Sequence, residues 1–172
     1  MRTLPLCLTP QRLTRQGRLH SGFTLLEILI VVVILGILAS IATVQMAGAS
    51  SNARKTTFVT NMKVLRDAAI LYNAQSNYLL PDAAPGTMPA EILPILVQHQ
   101  KFERVTSVGG EWDVAHNTLG ISSAVGVVFT GVGTTRDDVF MAGVDRIIDD
   151  GDLASGNFRK LAPDAYYYIL EK

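Results

Sequence analysis

Cysteine is almost absent from this 172-residue chain: the single one, Cys7, sits in its first few residues, so no internal disulfide and no multi-cysteine metal site is available. Acidic residues are missing before Glu27, whereas Arg2, Arg12, Arg15 and Arg18 are all basic. Charge of either sign is missing from Ile28 to Ala53, and proline is missing from Phe23 to Leu80. These gaps exclude several classes. Paired histidines at ligand spacing and a G-x-S-x-G elbow do not occur, and Asp113, His116 and a serine make a triad only on paper, so the sequence is read as non-enzymatic. Removing residues 1–22 leaves 11 basic and 15 acidic side chains, a net charge of −4, which argues against nucleic acid as a partner.

What remains is strongly patterned. The stretch "HSGFTLLEILIVVVILGILASIA", His20 to Ala42, holds one charge, Glu27, beside an apolar run near the roughly 20 residues that span a bilayer as a helix. Beyond Ser51, Phe58, Met62, Leu65, Ala69 and Tyr72 recur at spacings of four and three, an amphipathic seam. With no proline to interrupt it, one helix of more than fifty residues, roughly 80 Å at 1.5 Å per residue, is expected to end near Asn77 and Pro81, with Gly36 its weak point. The remainder is Gly-punctuated and mixed. "PAEILPILVQHQKF" reads as a short helix, "GGEWDVAHN" and "GISSAVGVVF" as strands, and "TTRDDVFMAGVDRIIDD" as a helix with Thr135 as cap. "AYYYILEK" reads as a closing strand in which at least one tyrosine of Tyr166–Tyr168 is buried and one exposed. Trp112 reads as core.

Three readings of the apolar stretch compete: a plain membrane anchor, a secretory signal cut after Ala49, and a leader cut after Gly22. Only the third gives Glu27 a partner. A carboxylate is costly in an apolar span, and cleavage after Gly22 creates a new amino group on Phe23, of the same chain or a neighbour, with which Glu27 can pair.

Gly22, Phe23, Thr24, Leu25, Leu26 and Glu27, with the basic leader before them and the apolar run behind, resemble the prepilin signal of type IV pilins and type II secretion pseudopilins. The resemblance implies cleavage between Gly22 and Phe23 by the prepilin peptidase, N-methylation of Phe23, and a role for Glu27 in methylation and assembly. It implies an α+β pilin-like fold, a long N-terminal helix packed on a small antiparallel sheet. The expected domains are a leader (1–22), a transmembrane or filament-core helix (23–44), its amphipathic half (45–80) and a globular head (81–172). The implied location is the inner membrane, with the head in the periplasm or beyond; the implied partners are other pilin subunits, the peptidase, an inner-membrane assembly platform and membrane lipid. The function would be structural, in a pilus or secretion pseudopilus. The alternatives are a monomeric membrane-anchored binding module and a competence pseudopilin in DNA uptake.

No organic cofactor is suggested. Asp145, Asp149, Asp150 and Asp152 gather around Gly151, and carboxylates on a glycine-containing turn are plausible hard oxygen ligands for Ca²⁺, as in some major pseudopilins. Their spacing does not fit an EF-hand, Arg146 and Arg159 are alternative counter-charges, and a plain solvated loop is the competing reading.

Overall fold

The computed structural model describes residues 23–171. Helix α1 runs over Leu25–Ser76, 52 residues without interruption, as the lack of proline allows. The chain divides into two compact units at Thr43/Val44. In the first, every large apolar side chain from Leu25 to Ile41 is exposed, and α1 is long and apolar enough to cross a membrane. Two hydroxyls that interrupt this run are turned back onto the helix: Ser40 donates to the Ile37 carbonyl at 2.7 Å and Thr43 to that of Ala39 at 2.9 Å. Neither then presents an unmet polar group to an apolar surrounding.

The second unit holds the core. The four-three seam is realised: Phe58, Met62, Leu65 and Ala69 are buried and Tyr72 is half-buried against the same cluster. They face a four-stranded antiparallel sheet of order β1-β2-β4-β3, with β1 at Glu111–Thr118, β2 at Ile121–Val128, β3 at Phe158–Ala162 and β4 at Ala165–Glu171. The fold is α+β and pilin-like. Trp112 of β1 is the centre of the core, stacked on Phe58 at 5.0 Å and met edge-on by Phe102 at 5.3 Å. The chain leaving α1 then covers the free edge of β1: Ala83 N–H donates to the Val114 carbonyl and Gly86 N–H to that of Trp112.

Four local expectations change. The segment around Glu91–Phe102 forms turns and a 3₁₀ helix at His99–Lys101 rather than an α-helix, since Pro94 has no N–H to carry the ladder on. Helix α2, Asp138–Ile148, is capped by Asp137, whose carboxylate accepts from the Phe140 N–H at 2.8 Å; Thr135 lies outside it. Strand β3 is an addition, hidden in sequence behind the acidic turn that precedes it. Of the three tyrosines, Tyr166 and Tyr167 are buried and Tyr168 half-buried, so none is exposed.

Tyr167 escapes solvent through a glycine. Asp113, Gly126, Tyr167 and Arg159 lie in one row across the four strands. A Cβ on Gly126 would stand 2.3 Å from the Tyr166 carbonyl oxygen and 2.5 Å from the Tyr167 ring. Without one, the ring crosses β2 and its hydroxyl donates to Asp113 Oδ2 at 2.5 Å. Burial pushes the Asp113 carboxyl up, and the Tyr167 hydrogen bond opposes that. Gly126→Ala is therefore expected to cost about 1–3 kcal/mol, the usual penalty of overpacking, in urea unfolding of the detergent-solubilised chain. Tyr167→Phe in that background should cost little more, because the hydroxyl contact is already displaced; additive losses would contradict the arrangement.

Asp113 and His116 stand three residues apart on β1 and so face opposite sides of the sheet, which dissolves the paper triad.

Candidate functional site

Two places gather the residues singled out in the sequence. At the start of α1, Thr24 stands outside the helix and Leu25 begins it. Glu27 Oε2 accepts from the Thr24 N–H at 2.8 Å and from the Thr24 hydroxyl at 2.9 Å, while that hydroxyl accepts from the Glu27 N–H at 3.2 Å. This is a capping box, in which two orphan donors of a helix start are satisfied reciprocally. The charge that looked unpartnered in sequence thus closes its own helix. Threonine followed three residues later by glutamate was the available signal, and reading Glu27 only as half of an ion pair passes over it. The Glu27 carboxylate also lies where the helix macrodipole favours negative charge. Phe23, just before the cap, is 79% exposed. Gly22, the other half of the expected junction, lies outside the described residues, as does the rest of the expected leader.

Against this geometry, the prokaryotic N-terminal methylation motif matches residues 17–43. Over that segment the chain is similar to the N-terminal region of pilins and pseudopilins. The type II secretion system core protein G of Aeromonas hydrophila is 40% identical over 62 residues, which are 36% of this chain and 43% of that protein. The protein of the same name from Pseudomonas aeruginosa is 38% identical over 71 residues, 41% of this chain and 49% of its own length. That of Vibrio cholerae is 40% identical over 63 residues, 37% and 43%. The chain spans less than half the length of the curated relatives it matches. No solved structure matches.

The second gathering lies at the end of α2. Carboxylate oxygens of Asp145, Asp149 and Asp150 lie within 4.8 Å of one another. Asp145 is wholly buried on α2, and neither of its oxygens has a hydrogen-bond partner. Burial, then the charges of Asp150 and Asp149, push its carboxyl up to about 6. Asp149 is the C-cap of α2, where the macrodipole opposes negative charge. One of its oxygens is fixed by the loop: Asn157 N–H donates to Oδ2 and Phe158 N–H reaches the same atom. Asp150 Oδ1 accepts from the Asp152 N–H at 2.9 Å and Oδ2 from the Ser155 hydroxyl at 2.7 Å, bonds that hold its carboxyl below the usual range.

Asp152 is placed differently. Its carboxylate accepts from the Ala154 N–H at 3.0 Å and the Ser155 hydroxyl at 3.3 Å, so it shapes the turn and is not one of the three converging groups. Arg159 donates to the Gly156 carbonyl at 2.7 Å instead of pairing with a carboxylate. Among the described residues the ion pairs are Arg66–Asp67 and Lys160–Asp138, so no arginine or lysine is in ion-pair contact with the cluster. Gly156 leaves the space it needs: a Cβ there would meet Asp149 Oδ2 at 2.1 Å.

These residues fit a divalent cation. A buried carboxylate with both oxygens unmet and two more carboxylates beside it supply hard oxygen donors of the type calcium takes. Asp145, Asp149 and Asp150 are the side chains that would hold it.

Proposed function

We propose that this chain is a structural subunit of a type II secretion pseudopilus, made as a precursor in the inner membrane and polymerised from there. The observation that carries the reading is the Gly22–Phe23 junction in the sequence directly before a capped helix start, followed by an exposed apolar run in which Glu27 is the one charge before Arg54. The cap at Thr24 keeps Phe23 out of the helix. The motif supports cleavage after Gly22 and methylation of Phe23. Glu27 would then meet the amino group on Phe23 of a neighbouring subunit, and its internal bonds to Thr24 keep the carboxylate oriented until that neighbour arrives. The relatives named as secretion-system core proteins favour secretion over motility or DNA uptake.

In the head, calcium bound by Asp145, Asp149 and Asp150 would supply a permanent counter-charge and join the end of α2 to the turn leading into β3. A small domain without disulfides gains most from such a link.

The test is mass spectrometry of the mature N-terminus. N-methyl-Phe23 is the expected species; an intact leader, or a start at Ser50, would sink the proposal.

A further inference from the structure

A groove of about 450 Å³ lies on the head between α1 and the turn before the 3₁₀ helix. Its floor is the buried Ala68, Leu96 and Phe102, and its rims carry Val64, Leu71 and Val97, exposed by 42%, 45% and 97%. Val64, Ala68 and Leu71 fall at i, i+4 and i+7, so α1 has a second apolar seam besides the one buried in its own core. Branched aliphatics gathered around a groove are not the scattered single exposures of an ordinary surface.

Charge indicates the occupant. The processed chain carries a net charge of −4, so copies repel each other over most approaches. On this face the repulsion is relieved: the one acid lining the groove, Asp67, is held by Arg66 at 2.7 Å. Lys101 lines the groove and the depression of about 400 Å³ adjoining it, where Arg104 and His99 also lie. Neither Lys101 nor Arg104 has a carboxylate in ion-pair contact among the described residues. We infer that this groove, with its basic rim, is a docking surface for the acidic head of a second copy of this chain. The contact is heterologous, a groove on one copy against a different surface of the next, and such contacts propagate into open filaments where the rotation between copies does not close a ring. The inference rests on the filament reading above and adds which face of the head takes part.

The experiment is site-specific photo-crosslinking in cells that assemble the protein, with p-benzoylphenylalanine replacing Val97, whose exposure makes it tolerant of substitution. Replacement of Leu119, on the β1–β2 turn outside the groove, is the control. The expected result is an adduct of two copies of this chain from position 97, several-fold above that from position 119. Lys101→Glu with Arg104→Glu should reduce it several-fold, while Lys101→Arg preserves it. Filaments of N-methyl-Phe23 chains with no excess adduct at position 97, or with an adduct to a different protein, overturn this inference and leave the filament reading standing. Absence of filaments with an unprocessed N-terminus overturns both.

Discussion

Calcium added to the chelator-treated, detergent-solubilised chain should raise its melting midpoint by on the order of 10 °C at about a hundredfold excess over the dissociation constant. Linkage at that excess supplies about 2.7 kcal/mol, and a domain of this size shifts by roughly 4 °C per kcal/mol. Asp145→Asn should abolish the response. In the metal-free state the same variant should melt no lower than the parent, because an amide removes a buried charge and offers N–H donors towards Asp149 and Asp150. A parent midpoint indifferent to calcium, or an unchanged shift in the variant, would dismiss the site.

The pH dependence has a definite sign. Asp145 titrates near 6 in the folded chain against an ordinary 3.8, so between those values the folded chain holds a proton that the unfolded chain releases. Its contribution to metal-free stability is therefore fully kept below pH 3.8 and declines as pH rises through 6. Calcium needs the carboxylate, so its affinity rises over the same interval. The calcium-dependent shift should be small at pH 5 and full at pH 7.5.

The second large effect is expected at Glu27. Glu27→Ala removes both the capping bonds and the charge, and should nearly abolish incorporation into filaments while leaving cleavage after Gly22 largely intact. Glu27→Gln separates the two roles: its amide oxygen can still accept from the Thr24 N–H and hydroxyl, but it carries no charge for the Phe23 amino group of a neighbour. Filament incorporation of the glutamine variant, measured in sheared fractions, should stay as low as that of the alanine variant. Recovery to the parent level would assign the role of Glu27 to capping and remove the ion pair from the account.

Much of the chain was legible because its signals are one-dimensional. The proline-free stretch and the four-three spacing from Phe58 to Tyr72 are enough for a helix with one buried face, and Leu25–Ser76 is that helix. Alternation in "GISSAVGVVF" is enough for β2, since a strand's faces are set by parity. The Gly-Phe-Thr-Leu-Leu-Glu junction is local as well. Where reasoning fell short, a distant neighbour decided. β3 follows an acidic turn and gains its identity from pairing with β4. The burial of Tyr167 depends on a glycine in another strand.

The two functional sites divide along the same line. The sequence by itself determined the helix, the one acid of its apolar half and the junction before it, because backbone propensity, periodicity and cleavage chemistry act over a few consecutive residues. Only the tertiary structure decided which aspartates act together. Asp145, Asp149, Asp150 and Asp152 look equivalent as a run, yet packing of α2 takes Asp145 wholly out of water and leaves its oxygens unmet, while the turn consumes Asp152 in its own hydrogen bonds. Burial and convergence are properties of the folded surroundings, and spacing along the chain does not encode them.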